Sequence, residues 1–179
     1  MSYQLKKLLL TLLFTASAAI TCFAQTGSAP KLSIGADFGI PTGTVSDVYS
    51  SVLGASAKLE LPTVTPGLKF MFSAGYSDFM IKSEYSSVFT SASYAQVEAG
   101  ARYYFIPMVY VEGDFGLSIN LNKNYSEQKV GLAYDPTIGV NLPINKNNAV
   151  DIGFRYDGRV ESGGTISQVA LCVAYKFNL

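Results

Sequence analysis

Tyr94–Leu121 reads YAQVEAGARYYFIPMVYVEGDFGLSINL, and the fold is decided there. From Ala95, every second residue of the first arm is apolar or aromatic: Ala95, Val97, Ala99, Ala101, Tyr103 and Phe105. Between them fall Gln96, Glu98, Gly100, Arg102 and Tyr104. Beyond Pro107 the rule resumes. Val109, Val111, Gly113, Phe115, Leu117, Ile119 and Leu121 share one face, and Tyr110, Glu112, Asp114, Gly116, Ser118 and Asn120 share the other. Successive side chains of a strand point to opposite faces, so a sustained period of two means β-strand. Soluble strands usually run about 5–6 residues. Strands of roughly 9–11 residues or more, apolar outside and polar inside, are what a membrane-spanning barrel needs.

Parity also sets the register of this hairpin. For both arms to keep their polar face on the same side, the connection must hold an odd number of residues, barring a bulge. Ile106-Pro107-Met108 fits, with Pro107 where no ladder donor is needed. Phe105 then opposes Val109, and Arg102 opposes Glu112 on the polar face. A slip of one residue would turn an apolar face inward, so the alternative is costly.

Six further stretches alternate in the same way: Lys31–Ile40, Val52–Leu61, Leu68–Ser77, Lys129–Leu142, Ala149–Asp157 and Thr165–Leu179. With the hairpin they make eight strands. Pro136 lies inside the sixth, where it removes a ladder hydrogen bond and predicts a local bulge or bend. The connections alternate too. Residues 41–51, 78–93, 122–128 and 158–164 are polar loops, whereas 62–67, 106–108 and 143–148 are short and marked by proline. Short turns at one rim and longer loops at the other are expected of an outer-membrane barrel. The loop 78–93 holds Phe79, Met80, Ile81, Tyr85 and Phe89. These residues suit a binding surface and equally suit an upward extension of the flanking strands.

Composition fits this reading. Of 179 residues, 49% are hydrophobic, and Tyr and Phe number 12 and 11 beside 16 Gly and no Trp. Lys plus Arg equals Asp plus Glu at 13 each, so no basic footprint points to nucleic acid. Lys6 and Lys7, the apolar run Leu8–Ile20 and the Phe23-Ala24-Gln25 junction read as a signal peptide cleaved after Ala24. Residues 1–24 are then leader, 25–30 a short periplasmic lead and 31–179 the barrel. Removing the leader takes away two Lys, leaving 11 basic and 13 acidic residues, a net of −2. Cys22 sits in a poor lipobox context. Cys172 is the one cysteine of the mature chain, so no intramolecular disulfide is expected.

The inward face carries Asp37, Lys58, Glu60, Lys69, Glu98, Arg102, Glu112, Asp114, Asp135, Asp151, Arg155, Asp157 and Lys176, which is eight acids and five bases. Desolvated charges persist only when paired, and an eight-stranded barrel is just wide enough for its side chains to fill it. A structural network of ion pairs is therefore expected, ahead of a catalytic or conducting site. Asp135 and Asp151 can be read as an acid–base pair, but any two of eight acids would serve as well. The chain has no His, which leaves Cys172 without a base and no metal-ligand spacing. Cys172 is expected to pack beside Ala170 and Ala174. No cofactor and no metal are expected.

On these strands, the Ala24-Gln25 export junction and the alternating Tyr175, Phe177 and Leu179 at the end, residues 31–179 resemble the small eight-stranded outer-membrane barrels of the OmpA/OmpX-like class, in the porin-family style common in Bacteroidetes. The last residue is Leu rather than the usual aromatic. The resemblance implies an all-β, antiparallel, up-and-down transmembrane barrel, monomeric, in the outer membrane of a Gram-negative cell. It implies assembly through the C-terminal strand by the barrel-assembly machinery. It also implies a non-enzymatic structural, adhesive or surface role, with any extracellular ligand held by the loops, because barrel enzymes of this kind lean on a catalytic His. Two alternatives remain open at this point: a small diffusion pore, and a soluble exported lipocalin-like carrier with apolar residues inside.

Overall fold

A computed structural model describes residues 29–85, 90–122, 130–161 and 164–179. Eight antiparallel strands close into one barrel in sequence order: β1 Lys31–Thr42, β2 Tyr49–Pro62, β3 Leu68–Ile81, β4 Ala92–Ile106, β5 Val109–Asn120, β6 Val130–Pro143, β7 Asn148–Glu161 and β8 Gly164–Asn178. β1 pairs with β8 over twelve residues, from Lys31↔Asn178 to Thr42↔Ser167. That seam leaves no open edge, so every strand finds its backbone partners within the sheet.

The strands run 12–15 residues, and β1, β2, β3, β4 and β7 are longer than the alternation alone delimits. Most of the extra length is at the loop rim. Phe79, Met80 and Ile81 belong to β3, so for these three the upward extension holds and not the loop. Residues 158–161 belong to β7, and β8 starts at Gly164, so the connection expected over 158–164 shrinks to residues 162–163. The first loop also shortens, to residues 43–48 with a 3-10 turn at Gly43–Asp47. The longest connections by strand bounds are then residues 82–91 between β3 and β4 and residues 121–129 between β5 and β6. Tyr85 lies in a short 3-10 turn, Ser83–Tyr85. Phe89, residues 123–129 and residues 1–28, on which the expected loop and leader fall, lie outside the described residues.

The β4–β5 ladder has the expected register: Arg102↔Glu112, Tyr103↔Val111 and Tyr104↔Tyr110. Its closure differs. Ile106, not Phe105, opposes Val109; the register shifts between Tyr104 and Ile106, and Pro107-Met108 forms a two-residue turn. A bulge at Phe105 plus an even turn preserves parity as an odd loop would. At Pro136 no register shift occurs. β6 stays paired with β5 through Gly113↔Pro136, while its pairs with β7 break off after Tyr134↔Gly158 and resume in the same register at Thr137↔Arg155. The missing proline N–H costs ladder bonds on one side without adding a residue.

The two faces separate by polarity. Ile40, Phe38, Val97, Phe115, Ile138 and Phe154 are all more than half exposed on the outside, while Arg102 is 1% and Asp135 0% exposed within. This is the reverse of what a lipocalin-like carrier needs. Outward aromatics are spread along the height of the barrel, with Tyr103, Phe105 and Tyr175 at the short-turn side, Tyr156 toward the loop side, and Phe38, Phe72, Phe115 and Phe154 between.

Candidate functional site: the charged lumen

Among the described residues, charged, polar and aromatic side chains crowd the lumen. Toward the short-turn rim, Arg102 on β4 is the hub. Its Nε donates to Glu112 Oε2 at 2.5 Å and its Nη1 to Asp151 Oδ2 at 2.5 Å, with Glu60 Oε2 at 3.5 Å. Lys176 reaches Glu60 at 2.9 Å and Asp151 at 2.8 Å. Lys58 bonds Glu112 and lies 3.2 Å from Asp114. Two tyrosines bind this network together. Tyr104 donates to Glu60 at 3.0 Å, and Tyr110 donates to Asp151 while its ring lies 3.7 Å from the Arg102 guanidinium carbon. The Tyr110 ring needs glycine across from it: a Cβ at Gly139 would meet its Cζ at 2.5 Å.

The middle of the lumen is less well paired. Arg155 on β7 reaches Asp37 at 3.0 Å and Asp135 at 3.4 Å. Asp114 and Asp135 oppose each other directly across β5 and β6. Glu98 accepts from Ser73 at 3.3 Å and Gln96 at 3.4 Å. Asp114 Oδ1, Glu98 Oε1 and both Asp135 carboxylate oxygens are buried without a hydrogen-bond donor. Cys172 pairs in register with Asp37 and lies between Ala170 and Ala174 on β8.

Toward the loop rim the inward side chains form an apolar cluster. Phe79 stacks edge-on against Tyr49 and Tyr94, each pair with centroids 5.7 Å apart, and Val52 and Ala92 complete the cluster. Beneath it Arg159 donates to Asp157 at 2.7 Å, Gln96 at 2.7 Å and Ser77 at 2.9 Å. Its guanidinium carbon is 5.3 Å from the Phe79 ring and 5.1 Å from the Tyr94 ring.

Of the thirteen inward charges read from sequence, twelve are buried or nearly so in the lumen. Lys69 is half-buried at the short-turn rim and joins no ion pair among the described residues. The expected pairing of Arg102 with Glu112 is present. Asp135 and Asp151 do not meet: one answers to Arg155, the other to Arg102 and Lys176. Sequence reading missed Arg159, because residues 158–164 looked like a loop; its parity with Asp157 was the available signal. It also gave no role to Tyr104 and Tyr110. A small cavity of about 20 Å³, room for one water, lies among Lys58, Arg102, Tyr110 and Cys172. Among the described residues no group of three or more His, Cys, Asp or Glu is placed to hold a metal ion.

No protein-family model matches the chain, and no curated protein matches it. Solved structures do. Neisserial surface protein A superposes with a TM-score of 0.62 at 14% identity, over 85% of this chain and 98% of that one. Ail, the attachment invasion locus protein of Yersinia pestis, superposes with a TM-score of 0.54 at 14% identity, over 84% and 99%. The outer membrane protein AlkL gives 0.52 at 12% identity, over 85% and 92%.

Proposed function

The chain has the fold of the small eight-stranded outer-membrane barrels, and from that premise we propose that it is an integral outer-membrane protein with a plugged lumen and a structural or adhesive role at the cell surface. The observation that carries this is the inverted polarity of the barrel. Soluble monomers rarely expose a contiguous apolar patch beyond a few hundred Å². Here the outer face of every strand is apolar, and leaving each large side chain in water forgoes roughly 1.5–3 kcal/mol. A lipid surround recovers that energy, and a closed sheet leaves it no backbone group to satisfy. Residues 1–24 serve as the export signal, residues 25–30 lie on the periplasmic side, and the strand ending Tyr175-Lys176-Phe177 is what the assembly machinery reads. The protein acts as a monomer and not as an enzyme. Its contacts with other molecules run through the two long loops, in keeping with Ail, which bears the name of an attachment protein.

Membrane fractionation with heat-modifiable gel mobility tests the placement. The unboiled protein should stay with the outer-membrane fraction and run faster than the boiled one; a folded form soluble without detergent would overturn the reading. The plug is supported by the Phe79–Tyr94 cluster, the Arg102 network and the single-water cavity between. Planar-bilayer recording should show no steady open state, and a stable conductance would return the pore alternative.

A further inference from the structure

The mouth of the lumen at the short-turn end holds a cavity of about 110 Å³, larger than the one of about 20 Å³ beside Cys172. Its walls come from the first residue of β1, the β6–β7 turn and the end of β8, among them Lys31, Lys146, Lys176, Asn145, Asn147 and Asn178. No acidic side chain lines it. Lys176 is committed to Glu60 and Asp151. Lys31 and Lys146 take part in no ion pair among the described residues.

The turn adds a second feature of the same sign. The side-chain oxygen of Asn145 accepts from the backbone N–H groups of Asn147 and Asn148, both at 2.9 Å. Its acceptor is therefore occupied by the turn, and the group it has left to offer is the NH₂ donor. The charge balance points the same way. The network below the mouth is even, with Glu60, Glu112 and Asp151 against Lys58, Arg102 and Lys176, so Lys31 and Lys146, like Lys69 elsewhere on the rim, add positive charge without an ion-pair partner among the described residues.

We infer that this mouth is a binding site for a small soluble oxyanion, a carboxylate or a phosphate group, held by Lys31, Lys146 and the Asn145 amide. The cavity has space for several waters, enough for such a group with part of its hydration. Lys31, Lys176 and Asn178 have inward parity on their strands, continuous with Ser33 and the lumen charges. The ligand therefore enters from the aqueous side and not from the bilayer.

The test is titration of the folded full-length mature barrel, in zwitterionic nanodiscs, with inorganic phosphate and separately with acetate, followed by NMR of the Asn side-chain NH₂ and Lys signals. Expected is a saturable shift confined to the Asn145, Lys31 and Lys146 signals. It should weaken about tenfold or more in Lys31→Gln/Lys146→Gln, the loss of two charge-assisted contacts. Lys146→Gln alone, in an exposed turn, should show part of that loss with unchanged heat-modifiable mobility, which separates binding from folding. A shift without saturation, an equal shift with chloride at matched ionic strength, or equal binding by the double variant would overturn the assignment. So would displacement of the same signals by anionic lipid alone, which would mean a bilayer source.

Discussion

In the short-turn half of the lumen, Glu60, Glu112 and Asp151 face Lys58, Arg102 and Lys176, three acids against three bases. In the rest of it, Asp37, Glu98, Asp114, Asp135 and Asp157 face Arg155 and Arg159, with a share of Lys58 for Asp114. The buried polar atoms left without a partner follow this division. None belongs to the six balanced charges or to Tyr104 and Tyr110, whereas Asp37, Glu98, Asp114, Asp135 and Asp157 each contribute at least one. The lesson is that charge in a narrow barrel has two energetic characters. Paired on several sides, it holds the strands in register; under-compensated, it is a cost that the rest of the barrel carries.

The largest expected effect tests the balanced half. Arg102→Met leaves Glu60, Glu112 and Asp151 with only Lys58 and Lys176 between them, one buried negative charge in excess, and should destabilise the barrel by about 3–5 kcal/mol, the cost of an uncompensated buried charge. Replacing Arg102 and Glu112 together with apolar residues should be much milder. Urea unfolding in lipid, read by the loss of heat-modifiable mobility, measures both. Equal losses for the single and double variants would mean the pair does not act as a unit.

Arg159 should matter less, although it is fully buried. It has one carboxylate partner, and that carboxylate keeps a second donor, Gln168 at 3.0 Å. Arg159→Met leaves the Asp157 carboxylate without a cation and should cost about 3 kcal/mol, the low end for breaking a buried pair, because one carboxylate is affected and not three. A loss as large as that of Arg102→Met would erase the contrast between the halves.

The contrast also separates what the sequence could convey from what it could not. Arg102 and Glu112 are neighbours along one hairpin, so parity alone placed them opposite each other; even a bulge at Phe105 left that result intact. Phe79 followed the same rule unnoticed. It shares the parity of Lys69, Met71 and Ser73, which puts it in the lumen, but its Ser-rich surroundings spoke for a loop. Arg159 was hidden by the glycines on either side of it in the same way. The pairing of Arg155 with Asp37 is of another kind. It joins β7 to β1 across β8, and depends on the tilt and stagger of the closed barrel, which no single strand records. The same holds for Tyr110 reaching Asp151 over Gly139.

The smallest expected effect has the opposite sign. Asp114 and Asp135 are directly opposed across β5 and β6, both buried, and like charges in that position repel. Asp135→Asn keeps the shape and removes the repulsion. It also leaves Arg155 with Asp37 at 3.0 Å, so no base is orphaned. It should stabilise by about 0.2–1 kcal/mol, the range of one cross-strand pair. Asp114→Asn should do the same, because Lys58 keeps Glu112. The two gains should not add. Once either carboxylate is neutral the repulsion is gone, and the second substitution only removes an attraction to Lys58 or Arg155. The double variant should therefore be no more stable than the better single one, and a double-mutant cycle in urea would show coupling of that sign. Destabilisation by either single change would mean that the middle of the lumen is as well compensated as the short-turn half, and the distinction between them would fall.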